Sequence, residues 1–133
     1  MSKQTTVLII DDDPHISEVT EMILVEEGFR VLTDLRGDYF QQESPEIPDV
    51  VLLDLLITGS SGEHVARTIR SQPKTAHLPI IILSAQTSDE LVKAVGICEA
   101  NAFVNKPYDI DHLINTINSL VSDQTDERSA PAF

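Results

Sequence analysis

Residues 7–14 read VLIIDDDP, an unbroken aliphatic run that stops at three carboxylates and a proline. A run of Val, Leu and Ile without polar alternation predicts a strand covered on both faces, as in a parallel sheet held between helices. Asp13 then offers an N-cap acceptor, and Pro14 suits the first helical position. Three later stretches repeat the design: residues 50–53 lead into Asp54, 80–83 into Ser84, and 103–105 into Lys106. Parallel strands end on one side of their sheet. Asp11, Asp12, Asp54, Ser84 and Lys106 are therefore expected to gather in a crevice at its carboxyl edge, where open α/β folds place their ligands.

The stretches between these runs read as helices and turns. Ile16, Val19, Ile23 and Glu27 recur at helical spacing and Gly28 closes that helix, after which residues 29–33 form a second strand. A short helix is expected between Gly37 and Glu43, ended by Ser44 and Pro45, with Pro48 marking the way into the third strand. After Asp54, a loop with Gly59, Ser60, Ser61 and Gly62 precedes a helix over 63–71 that Pro73 breaks. Pro79 opens the fourth strand, and Thr87 with Glu90 forms a capping box for a helix reaching Gly96. Asp109 caps a last helix whose Ile110, Leu113, Ile114, Ile117, Leu120 and Val121 make one apolar stripe.

Five alternations of strand and helix, joined by right-handed crossovers, predict an α/β fold: a doubly wound five-stranded parallel sheet in a flavodoxin-like three-layer sandwich. Among the strand orders these rules permit, the expected one is 2-1-3-4-5, which sets strands one and three side by side at the reversal of winding, so that Asp11, Asp12 and Asp54 meet there. Residues 1–122 are expected to form one domain. Residues 123–133, polar and with little to bury, are expected to be a flexible C-terminal tail.

A length of 133 residues suits one domain with a real core. The formal charge of −13 argues against direct nucleic-acid binding, which rests on Lys and Arg displacing counterions. Cys98 is the sole cysteine, so no internal disulfide forms, and it reads as a helix thiol in a reducing compartment. Residues 1–6 lack the basic-then-apolar pattern of a secretory signal, and no stretch has membrane-spanning length. A cytoplasmic location is expected. His15, His64, His77 and His112 show no metal-ligand spacing and read as surface or loop residues.

Three converging carboxylates repel one another, which calls for a cation. An open, all-oxygen site suits Mg²⁺, commonly held by one or two carboxylates together with water and phosphate oxygens. Asp54 is then the expected nucleophile, attacking phosphorus to form an acyl phosphate. Lys106 would offset charge on the phosphoryl oxygens and Ser84 would donate a hydrogen bond to them.

The ordered set of acid pair, single Asp, Ser84 with Ala85, and Lys106 with Pro107 resembles the receiver domain of bacterial two-component response regulators, over residues 5–122, in the manner of a chemotaxis-type single-domain receiver. The resemblance implies a phosphorelay switch, not an enzyme beyond slow autodephosphorylation. In it Asp54 takes a phosphoryl group from a sensor histidine kinase or phosphotransfer protein and partner binding changes. It further implies that Asp12, Asp54 and the backbone carbonyl of Leu56 bind Mg²⁺ directly, with Asp11 assisting through water. Ser84 and Lys106 would hold the phosphoryl oxygens, Phe103 would be the aromatic switch that follows Ser84, and Lys106–Pro107 would be a cis peptide. The output face would lie around the fourth helix, fifth strand and fifth helix.

Three positions depart from the family pattern. Ile57 and Thr58 replace a common Met-Pro, which implies a more mobile loop. Glu99 stands where glycine is common, which implies strain in that turn. Phe103 replaces the commoner tyrosine, so an outward ring gains no hydrogen bond and acts by packing alone. Two rival readings differ at named residues. Haloacid-dehalogenase-type phosphatases share the nucleophilic Asp, the hydroxyl, the lysine and Mg²⁺, but carry a proton-donating Asp where this chain has Leu56. A receiver-like interaction module that is never phosphorylated would have no use for a repulsive acid cluster.

Overall fold

β1 (Thr6–Ile10) and β3 (Val50–Asp54) are buried at every position, as expected of strands whose side chains find apolar cover on both faces. The computed structural model describes residues 4–54, 56–57, 60–84, 93, 96, 99–105 and 109–129. Between these strands come α1 (Pro14–Glu26) and β2 (Arg30–Asp34). They are followed by two short strands, β4 (Leu56–Ile57) and β5 (Ser60–Ser61), then α2 (Gly62–Ser71), β6 (Ile80–Ser84), β7 (Ala102–Asn105) and α3 (Ile110–Ser129). The main sheet runs β2-β1-β3-β6-β7 with every pair parallel. Counting its own strands, this is the order 2-1-3-4-5 read from the sequence.

Alternation along the strands splits the core in two. Leu8, Ile10, Val51, Leu53, Ile80 and Ile82 pack with Val65, Ala66 and Ile69 of α2. Val7, Ile9, Val50, Leu52, Ile81 and Leu83 pack instead with Leu24 of α1 and with Leu113 and Ile117 of α3. These aliphatic side chains are almost wholly withdrawn from water, each Val, Leu or Ile contributing about 1.5–3 kcal/mol of transfer free energy.

The structure differs from expectation in three connections, each for a local reason. Between β2 and β3 no α-helix forms, only a 3₁₀ turn at Tyr39–Gln41. The Asp34 carboxylate accepts the backbone amides of Arg36, Gly37 and Tyr39, so these donors serve a side-chain turn instead of a helix. Beyond Asp54, β4 and β5 pair antiparallel, Leu56 with Ser61 and Ile57 with Ser60, where a looser loop was expected. With Ile57 and Thr58 in place of Met-Pro, no proline interrupts this segment. Finally, α3 continues to Ser129, past Val121 where the apolar stripe ends and into the segment expected as a tail, because no proline or glycine intervenes before Pro131. The Thr87–Glu90 capping box lies outside the described residues, although Lys93 and Gly96 have helical backbone.

Glu99 carries the expected strain: its φ is +51°, in the left-handed region. Arg70, at the end of α2, spans this turn and the entry to β6. Its Nη1 donates to the carbonyls of Ala76 and Leu78, and its Nη2 to the carbonyl of Glu99 and to Asn101 Oδ1. Replacing Glu99 with glycine removes the Cβ penalty of about 1–2 kcal/mol at some cost in unfolded-chain entropy. Urea denaturation of Glu99→Gly is expected to show a gain of up to about 1 kcal/mol; a loss of stability would contradict the strain.

Candidate functional site

The site begins with strand register. Ile10 of β1 is level with Leu53 of β3, so Asp11 follows one strand end beside Asp54 on the other. One carboxylate oxygen from each of Asp11, Asp12 and Asp54 lies within 4.8 Å of the other two. Asp11 and Asp54 are buried and Asp12 is half-buried.

Backbone groups aim the acids. The Asp11 amide donates to the Asp34 carbonyl at 3.1 Å, tying the acid loop to the end of β2. Asp11 Oδ1 accepts the Asp13 amide at 3.0 Å. Asp13 turns away from the cluster and caps α1 by accepting the amides of His15 and Ile16, as its place before Pro14 predicted. Asp34 was not singled out from the sequence, though an Asp at a strand end shortly before Gly37 is a turn signal that points to it.

The donor set fits a hard divalent ion. An octahedral Mg²⁺ with oxygens at about 2.1 Å holds them about 3 Å apart when adjacent and about 4.2 Å apart when opposite. A cluster spanning 4.8 Å needs only small side-chain shifts, or one acid acting through water, to meet that geometry. Unscreened by a cation, each pair of carboxylates repels by about 3–4 kcal/mol at an effective dielectric near 20. Leu56, whose carbonyl was expected to join the ligands, lies in β4 two residues beyond Asp54.

The remaining expected residues are placed in part. Leu83 is level with Asp54, and Ser84, the last residue of β6, pairs with Asn105 of β7. The backbone of Ser84 thus ends on the strand next to Asp54. Phe103 pairs with Ile82, and its ring is 40% exposed. Lys106 and Pro107 lie outside the described residues.

A family profile described as the response regulator receiver domain matches residues 7–118. The chain belongs to this family. Receiver domains are signalling switches and not, in general, enzymes in the usual sense. Among relatives of this receiver, the phosphate regulon transcriptional regulatory protein PhoB of Rhizobium meliloti is 32% identical over 117 residues, 86% of this chain and 51% of that protein. The transcriptional regulatory protein GltR of Pseudomonas aeruginosa is 33% identical over 118 residues, 87% of this chain and 48% of that one. The receiver thus spans about half the length of the curated relatives it matches.

Solved structures agree on the fold. A protein assigned as a response regulator from Chloroflexus aurantiacus superposes with a TM-score of 0.84 at 30% identity, covering 90% of this receiver and 99% of that chain. The receiver domain of sensor histidine kinase PA1611 from Pseudomonas aeruginosa, which has a magnesium ion coordinated in its active-site cleft, superposes at 0.82 with 22% identity and coverages of 90% and 99%.

The acid cluster makes a direct thermodynamic prediction. In buffer free of divalent ions, Asp12→Asn is expected to stabilise the receiver by about 1–3 kcal/mol, since one repelling charge is gone. Adding Mg²⁺ should raise the melting temperature of the unaltered receiver and have much less effect on Asp12→Asn. Equal Mg²⁺ responses in calorimetry would argue against a shared ion site.

Proposed function

We propose that this receiver is the phosphoacceptor switch of a two-component phosphorelay, working in the cytoplasm and taking its phosphoryl group on Asp54. The observation that carries the reading is the meeting of Asp11, Asp12 and Asp54 at the switch point of the sheet. The donor is the phosphohistidine of a sensor kinase or phosphotransfer protein. A carboxylate oxygen of Asp54 attacks phosphorus in line, the new O–P bond forms as the N–P bond breaks, and the imidazole nitrogen leaves with the electron pair.

Asp12, Asp54 and the Leu56 carbonyl would hold Mg²⁺, with Asp11 assisting through water, and the bound ion would supply positive charge to offset that of the phosphoryl oxygens. Lys106 supplies a second positive charge to those oxygens, and the Ser84 hydroxyl moves to donate a hydrogen bond. Burial of Asp11 and Asp54 excludes most water from the acid side, so each such contact acts in a medium less polar than bulk solvent. The exposed Phe103 side chain would then follow Ser84 inward by packing, and the output face expected around the fourth helix, fifth strand and fifth helix would change its affinity for a downstream protein. Slow loss of the phosphoryl group to water resets the switch. No helix among the described residues is long and apolar enough to cross a membrane, in keeping with this setting.

Acetyl phosphate with Mg²⁺ is expected to add one labile phosphoryl group to the intact chain by mass spectrometry, and Asp54→Ala to add none. Stoichiometric labelling of Asp54→Ala would reject the assignment. Lys106→Ala should accept some phosphoryl group while the amide shifts of residues 86–115 stay near their resting values. Incubation with a generic phosphomonoester should give no sustained turnover; many cycles per chain would favour a phosphatase instead.

A further inference from the structure

Where the sequence led us to expect a helix between β2 and β3, the short turn at Tyr39–Gln41 leaves a cleft of about 630 Å³ against α2, within the ordinary range of ligand pockets. Its apolar wall is Phe40, Pro45 and Ile47, its amide rim includes Gln42 and Gln72, and its charge is Lys74. Phe40 is buried with its ring edge-on to Tyr39 at 5.1 Å, whereas Ile47 leaves 38% of its surface in water.

The wall is built in advance of any occupant. Glu46 forms a bidentate ion pair with Arg30, the Tyr39 hydroxyl donates to the Glu46 carbonyl at 2.7 Å, and Gln42 Nε2 donates to the Tyr39 carbonyl at 2.9 Å. Burial, with the Glu46 carboxylate nearby, pushes the Tyr39 phenol above its ordinary range. Ser44, on the same wall, is held at φ +54°, a strained conformation of the kind found at ligand clamps.

Charge selects the occupant. The chain carries 22 acidic residues, yet none lines this cleft among the described residues. On the wall segment Glu46 is paired with Arg30 and Glu43 is exposed outside the lining, while residues 64–88 contain Arg67, Arg70 and Lys74 without a single Asp or Glu. The Arg70 guanidinium is engaged by backbone carbonyls, while Arg67 and Lys74 are exposed. Glutamine side chains both donate and accept, which matches the peptide groups of an extended chain better than a bare anion. We propose that this cleft docks an acidic peptide segment of a partner protein, with one apolar side chain against Phe40, Pro45 and Ile47 and a carboxylate beside Lys74. The proposal is independent of phosphoryl transfer to Asp54.

The test is fluorescence polarisation with the full chain and a short fluorescein-labelled peptide in which one phenylalanine is flanked by aspartates and glutamates. The comparison peptide has lysines in place of the acids. The acidic peptide should bind saturably, shift the amides of Gln41, Gln42, Thr68 and Gln72, and bind about tenfold more weakly to Lys74→Glu and to Ile47→Ser. Asp54→Ala should bind it unchanged. Equal binding of both peptides, indifference to both cleft variants, shifts centred elsewhere, or sedimentation showing a second copy of the chain covering the cleft would each overturn the proposal.

Discussion

Everything at the candidate site depends on the register between β1 and β3. These neighbours are not consecutive in the chain, and their pairing carries Asp11 and Asp54 to adjacent strand ends. Below the site the register is pinned by two bonds at the other end of the strands: the Asp49 amide donates to the Thr6 carbonyl, and the Thr6 amide to Asp49 Oδ2, both at 2.8 Å. Above it, burial on both faces enforces the same alignment. A slip of one residue would turn each side chain to the opposite layer and expose the two cores to each other's neighbours. The apolar core therefore holds together a set of like charges that would separate if free to do so.

That rigidity is what makes the cluster useful. Carboxylates fixed at strand ends would lose little conformational freedom on holding a cation, so the mutual repulsion of Asp11, Asp12 and Asp54 would favour an ion that relieved it. The Asp34 carbonyl and the Asp13 amide orient Asp11 from two sides, and Asp13 itself is spent on capping α1. Asp11 and Asp13 thus take separate tasks, decided by which backbone amides face them.

The connections show more individuality than the sheet. The β4–β5 pairing comes shortly after Asp54 and gives Leu56 a defined backbone partner in Ser61. The β2–β3 connection, held by Asp34 and by the Arg30–Glu46 pair, leaves the cleft described above. Glu99 keeps the left-handed turn despite its side chain, with Arg70 fastened to its carbonyl. These features lie in the loops, where receivers of one fold can differ without disturbing the shared core.

Periodicity and composition determined the five strands of the main sheet, their parallel arrangement and the gathering of Asp11, Asp12 and Asp54 at one edge, because two-faced burial demands aliphatic runs and parallel strands share one end. The strand order that sets β1 beside β3 is fixed by their pairing. The same local reading found the Asp13–Pro14 start of α1, a signal contained in adjacent residues. Only tertiary structure decided the rest. Asp34 became an organiser because its carbonyl meets the Asp11 amide across strands, and a contact between residues 11 and 34 leaves no local signal. The helix expected near Gly37 gave way to side-chain turns, since propensity is weak against a well-placed carboxylate and a buried Phe40. α3 departs in the opposite sense, running longer than its apolar stripe: backbone hydrogen bonds can continue a helix after the stripe ends.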